Sequence, residues 1–220
     1  MKTSLLTILT FAVLTLMSSA TEKPNVMRIA LVFDDGPVVE QTEKMLALLA
    51  QEKVHVSFSY VGKNVDAHPE LAKAATKAGH EIQNHSYTHP HLTTLGEATV
   101  LQEVTKTSAA IERATGKPPA WFWAPFLELD DKVVAQVTKA GLTPFPFKQY
   151  HFISSDDWNV QQTDAAAIRK NATTGIQDKT VILFHEWRPE TLAELPAIFA
   201  ELRRQGCVFL TFSELAKLTP

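Results

Sequence analysis

Arg28-Ile29-Ala30-Leu31-Val32-Phe33-Asp34-Asp35-Gly36-Pro37 joins a run of five apolar residues to two carboxylates and a Gly-Pro break. Such a run, closed by turn residues, predicts a strand covered on both faces, as in a parallel sheet. In α/β barrels and open parallel sheets the working groups gather beyond the carboxyl ends of the strands, which is where Asp34 and Asp35 fall. An Asp-Gly-Pro turn that only ends a strand has the same composition, because Asp and Gly supply local hydrogen bonds and permissive dihedrals.

Downstream, strand-length apolar runs alternate with segments at helical spacing. Residues 40–51 carry Met45, Leu46, Leu48 and Leu49 on one face. Strands are predicted over 54–60, 81–84, 121–124 and 181–184, with a short run at 144–147. Helices are predicted over 69–78, 97–115 and 131–140, the second with Val100, Val104, Ser108 and Ile111 turned inward. A last helix is expected to have Pro196 in its first turn and to end at Gly206, before a final strand at 208–211. Residues 149–162 read as the least regular part. This alternation, with no break in composition, predicts one α/β domain with a largely parallel sheet.

At the amino end, Lys2 precedes an uncharged stretch of thirteen residues, Leu5 to Met17, and then Ser18-Ser19-Ala20. That pattern predicts a secretory signal peptide over residues 1–20. It is shorter than the roughly 17 to 25 residues of a transmembrane helix, and no cysteine stands at the cleavage point for a lipid anchor. The expected mature domain is 21–220, secreted or periplasmic, with no membrane span after cleavage. The formal charge of −3 is mildly acidic and without blocks of like charge, which argues against nucleic-acid binding. Cys207 is the single cysteine, so no internal disulfide is possible and it reads as a small buried hydrophobe.

The second informative stretch is Asn84-His85-Ser86-Tyr87-Thr88-His89-Pro90. Four-residue spacing would place both imidazoles on one helix face, but Pro90 disfavours helical geometry at His89, so a turn must present them. A divalent metal needs a few such ligands with a position left for water, and a hydrolase also needs a carboxylate off the metal. The two aspartates and two histidines could supply both. Adjacent residues of an extended strand point to opposite sides, so the aspartates are not expected to ligate equivalently. His91 reads as a surface histidine, and His55, His68, His80 and His151 as structural or solvated. Trp121, Trp123, Trp158 and Trp187 read as core or rim packing, with Trp158 gaining interest from its neighbour Asp157.

Taken in order, Val-Phe-Asp-Asp-Gly-Pro at 32–37, Asn-His-Ser-Tyr-Thr-His-Pro at 84–90, Ala-Pro-Phe at 124–126, Asp-Asp-Trp at 156–158 and Ile-Leu-Phe-His at 182–185 resemble the motifs of the polysaccharide deacetylases. These are the carbohydrate esterases of family 4, with a NodB-homology domain. The resemblance extends to Phe-Leu-Thr-Phe-Ser-Glu-Leu at 209–215 and implies a single-domain distorted (β/α) barrel. It also implies a divalent metal, usually zinc, and a glycan substrate carrying N-acetyl or O-acetyl groups. By position it makes Asp35, His85 and His89 the metal ligands, Asp34 the general base and His185 the acid that protonates the departing amine. Asp157 would orient His185, the Phe126 N–H would meet the oxyanion, and Trp158 with Leu183 would enclose the acetyl methyl group. Trp123 stands where the family motif carries an arginine that holds the catalytic aspartate, which implies a weaker or pH-shifted base. Leu127 replaces the usual glycine after the third motif, which implies a reshaped loop there.

Two other readings share these residues. One is a non-catalytic saccharide-binding module, suggested by the missing arginine and a rim of Trp121, Trp123 and Trp158. The other is a hydrolase of a small non-glycan amide, because a fold does not fix its substrate.

Overall fold

The computed structural model describes residues 26–218, so the expected signal peptide lies outside the described residues. Within them, eight parallel strands and eight α-helices alternate. β1 (Met27–Gly36) is followed by α1 (Gln41–Glu52), β2 (Ser57–Tyr60), α2 (Gly62–Ala67), α3 (Pro69–Lys77) and β3 (Glu81–Asn84). Next come α4 (Glu97–Thr115), β4 (Trp121–Phe122), α5 (Asp131–Lys139), β5 (Thr143–Pro144) and β6 (His151–Ser154). The chain continues with α6 (Ala165–Thr173), β7 (Thr180–His185), α7 (Pro189–Arg204), β8 (Cys207–Leu210) and α8 (Phe212–Lys217).

The sheet runs β5-β4-β3-β2-β1-β7-β6, with β8 also paired to β1. β1 is the hub. Its residues 29–34 pair with β7, residues 27–30 with β8, and the segment from Val32 to Gly36 with β2. Ile29 and Ala30 pair with both β7 and β8, so those two strands lie on opposite edges, and β8 and β2 share one edge end to end. Among the described residues no pairing joins β5 to β6, so the sheet curls into a half-barrel surrounded by helices.

Alternation along β1 divides the core. Ile29, Leu31 and Phe33 pack outward against Met45 and Leu49 of α1, Ile168 of α6 and Leu195, Ile198 and Phe199 of α7. Ala30 and Val32 turn inward with Val181 and Leu183 of β7, against Trp123, Phe145 and Phe212. Aromatic rings thus fill the space between the two unjoined edges. Trp123 lies 4.2 Å from Phe145 and 5.4 Å from Phe147, centroid to centroid.

The predicted alternation holds, with corrections at specific places. The helix expected to start around Pro196 starts instead at Pro189 and carries Pro196 in its interior. Thr191, Leu195, Ile198, Phe199 and Leu202 form a continuous buried stripe across it, and Pro196 itself is on the exposed side. Burial of that stripe outweighs the roughly 3 kcal/mol that an interior proline costs. On α4, Thr107 and Ala110 are buried and Ser108 is half-buried. The expected irregular segment 149–162 contains β6, held by parallel pairing to β7 rather than by any apolar periodicity of its own. Helices α2, α6 and α8 were not foreseen. Their signals are short: Asp164 caps α6 through Ala167 N–H, and Thr211 with Glu214 forms a capping box on α8.

A Cβ added at Gly36 would lie 1.8 Å from Glu186 Oε2 and 2.6 Å from the Tyr60 ring. Gly36→Ala should therefore destabilise the protein by about 1–3 kcal/mol, read as a lower midpoint in urea. At the other end of the sheet, buried His80 accepts the Val56 N–H through Nδ1 at 3.2 Å. Burial, assisted by His55, pushes its pKa down from 6.5 to about 4. Its contribution to stability is complete above the unfolded value and is lost as pH falls from 6.5 toward 4. The loss should be on the order of 2 kcal/mol after allowance for solvent screening. His80→Gln, compared with wild type in urea titrations at pH 7.5 and 4.5, should show the smaller drop.

Candidate active site

Eight of the nine residues singled out from sequence line one cavity of about 430 Å³ at the carboxyl end of the strands: Asp34, Asp35, His85, His89, Phe126, Trp158, Leu183 and His185. The ninth, Asp157, is fully buried behind His185. Leu127, Ser154 and Trp187 complete the wall.

Asp34 continues the inward series of Ala30 and Val32, as strand alternation requires. Asp35 breaks that alternation. Its φ of 72° and the register shift between Asp34 and Gly36 turn its side chain to the same cavity. The two aspartates still differ, since only Asp35 joins the histidines, but the extended backbone assumed from sequence is corrected: at Asp35 it is left-handed, so both side chains reach one cavity. The loop that follows is gripped from several sides. Glu186 N–H donates to Asp34 O at 3.0 Å, Asn64 Nδ2 to Asp35 O at 3.0 Å, and Val61 N–H to Gly36 O at 2.9 Å.

The histidines leave β3 in a turn, as Pro90 requires, with Ser86 and His89 both at positive φ. Asn84 anchors the start of that turn. It donates to Val104 O and Ser108 Oγ of α4 and accepts the Ser86 N–H. Glu103 of α4 accepts the N–H groups of Tyr87 and Thr88, and Ser86 Oγ accepts the His89 N–H. These bonds bring His85 Nε2 to 3.5 Å and His89 Nε2 to 3.2 Å from Asp35 Oδ1.

One carboxylate oxygen and two imidazole nitrogens from Asp35, His85 and His89 lie within 4.8 Å of one another. Their chemistry fits a divalent cation with an open position. His85 Nδ1 donates to the Trp123 carbonyl at 2.7 Å, which leaves Nε2 to face Asp35. Against its burial, Asp34 and Asp35 raise the His85 pKa, so a cation would take the Nε2 position by displacing its proton. Burial, with His85 beside it, pushes the His89 pKa down to about 4 and favours its neutral, ligating form. Burial opposes ionisation of Asp35, but a hydrogen bond and charge from His85 hold it well below the usual carboxylate range. His91 lies outside this group, stacked on Phe126 at 3.8 Å and paired with Glu128.

Asp34 is 3% exposed, and burial raises its pKa to about 7 against the opposing charges of His85 and His185. Among the described residues its one ion-pair partner is His85, at 3.7 Å. The Trp123 indole faces it closely enough to favour ionisation, yet neither Asp34 Oδ1 nor Trp123 Nε1 makes a hydrogen bond of normal geometry. Across the cavity, His185 Nδ1 donates to Asp157 Oδ1 at 2.7 Å. Asp157 Oδ2 accepts the His185 N–H and the Thr191 hydroxyl. Burial works against a charged His185, but the Asp157 contact raises its pKa overall.

Three points differ from the sequence reading. Trp123 is fully buried in the aromatic interior, and Trp121 sits half-buried at the opposite end, bonded to Ser213, so neither forms an aromatic rim. Trp158, 56% exposed, does. Leu127 takes φ 58°, a glycine-type conformation, next to Phe126 at φ 57°. Trp187 donates its indole N–H to Asp35 Oδ2 at 3.0 Å, and Glu186 is fully buried beneath the Gly36 loop, bonded to Thr42. Sequence reasoning missed both residues. The one available signal was adjacency to His185 at a strand end.

Residues 21–145 match the family model for polysaccharide deacetylases. Over 188 residues the chain is 31% identical to a peptidoglycan N-acetylglucosamine deacetylase of Listeria monocytogenes, covering 86% of this chain and 38% of that protein's length. It is 30% identical to a Bacillus cereus peptidoglycan N-acetylglucosamine deacetylase, covering 89% and 92% of the two chains. A family 4 carbohydrate esterase from Streptomyces lividans, solved in complex with acetate, superposes with a TM-score of 0.77 at 33% identity over 83% of this chain and 91% of its own. The half-barrel, the ordered motifs and these similarities place this chain in the polysaccharide deacetylase family.

Proposed function

We propose that this chain is a secreted, metal-dependent deacetylase that hydrolyses the C–N amide bond of N-acetylated sugars in a glycan, with O-acetyl esters as a second substrate type. The observation that carries this reading is a set of groups of opposed character around one cavity. Asp34 lies on one side of the Asp35, His85 and His89 cluster, and the Asp157-oriented His185 reaches the same cavity. The peptidoglycan deacetylase names of the relatives support an extracytoplasmic glycan as substrate.

In this mechanism Asp35, His85 and His89 hold the cation, for which we propose zinc. When bound, the ion supplies Lewis-acid polarisation of the acetyl carbonyl and acidifies the attacking water. Asp34 accepts the proton of that water as its oxygen bonds to the acetyl carbon. The Phe126 N–H donates to the resulting oxyanion. Collapse breaks the C–N bond while His185 delivers its proton to the departing nitrogen, so amine and acetate leave in balance. Leu183 and Trp158 enclose the methyl group. Trp123 supplies no positive charge to Asp34, so Asp34 works as a base with a pKa lifted by burial.

The binding-module reading loses its proposed aromatic rim, since Trp123 is inside the protein and Trp121 lies half-buried away from the cavity. Acetate release from chitin oligomers, peptidoglycan and acetylxylan, measured with zinc and with chelator, tests the proposal. Zinc-dependent release from at least one glycan is expected. Glycan binding without turnover would support the module, and turnover of small amides alone would move the substrate away from glycans. An unprotonated amide nitrogen leaves less readily than an alkoxide, so His185→Ala should lower N-deacetylation by about 10²- to 10⁴-fold and O-deacetylation by less. Equal losses on both substrates would remove His185 as the acid.

A further inference from the structure

Asp35 presents its two oxygens to different partners. Oδ1 faces Nε2 of His85 and His89 at 3.5 and 3.2 Å, and Oδ2 receives the Trp187 indole N–H at 3.0 Å. A carboxylate at the mouth of a cavity can otherwise rotate and offer a cation either oxygen or both. With Oδ2 engaged, one oxygen remains in register with the two imidazoles.

The indole is well placed to act as a fixed donor. On one side Glu186 is fully buried, its N–H bonded to Asp34 O. On the other, Arg188 is 4% exposed and donates to Thr163 O at 2.9 Å. Trp187 is thus carried between two anchored residues, and its ring rests 5.9 Å from His185, centroid to centroid. Asp35 itself sits at φ 72°, a conformation unfavourable for a residue with a Cβ. A strained backbone that aims a carboxylate gains from a second contact that sets the rotation of its side chain.

We propose that Trp187 is a positioning residue of the cation site: its N–H occupies Oδ2 of Asp35 and so presents Oδ1 as a single-oxygen ligand beside His85 and His89. This rests on the reading of Asp35, His85 and His89 as ligands. Partners that orient a metal-binding carboxylate typically change affinity by about 10- to 100-fold when removed.

The test is equilibrium zinc competition against a chromophoric chelator, with wild type, Trp187→Phe and Asp35→Ala, alongside melting temperatures of the metal-free proteins. Trp187→Phe keeps an aromatic ring and removes the donor. It should weaken zinc binding by about 10- to 100-fold with an unchanged metal-free melting temperature, and excess zinc should restore most of kcat. Should the Phe variant fail to fold, benzothienylalanine at position 187, in which sulfur replaces the N–H within the same ring shape, carries the same expectation. Wild-type zinc affinity in the donor-free variant, with Asp35→Ala weakened, would overturn the role of Trp187 and leave the ligand assignment standing. A raised KM with unaltered zinc affinity would do the same, making Trp187 a substrate contact. Absence of zinc binding by wild type, or no effect of Asp35→Ala, would overturn both.

Discussion

The structure depends on the pairing of β1 with three neighbours at once, β7 along one edge and β8 and β2 along the other. That pairing buries the strand on both faces and leaves its carboxyl end no freedom of direction. The reversed backbone at Asp35 then occurs at a position fixed from three sides, by Glu186, Asn64 and Val61. A left-handed non-glycine residue costs roughly 1–2 kcal/mol, and it persists where the surroundings over-determine it. Its effect is to convert a strand that would send adjacent carboxylates to opposite faces into one that sends both to the same cavity.

The electrostatics follow from that convergence. Asp34 and Asp35 are neighbours in the chain and both face His85, yet their pKa values are displaced in opposite directions. Asp35 is held ionised by His85, while Asp34, buried above an aromatic interior, is raised to about 7. Two carboxylates driven apart in this way are suited to different tasks, one as a ligand and the other as a proton acceptor. Trp123 contributes by shape as much as by polarity. Its ring fills the gap between the unjoined edges of the half-barrel, and its carbonyl fixes the tautomer of His85.

The match between sequence reading and structure is uneven for physical reasons. β3 and α4 lie where their patterns put them, since local periodicity and flanking turns specify such elements. β6 and α2 depend on neighbours far away in the chain, and their own sequences carry little pattern. Pro196 misled for the same reason. A breaker is judged locally, but whether a helix continues through it is decided by the buried stripe on either side. Trp187 was invisible because its partner, Asp35, is 152 positions away.

What the sequence determined by itself is the chemical inventory and its order: apolar strands, carboxylates and imidazoles at their ends, and turn residues that expose them. Side-chain type and local backbone preference are properties of short segments, so one strand of text suffices to read them. What only the tertiary structure decided is which atoms meet. The turn of Asp35 toward Asp34's side, the choice of Oδ1 over Oδ2, and the withdrawal of Trp121 and Trp123 from the rim are set by contacts between segments distant in the chain, because direction in space comes from packing and not from spacing.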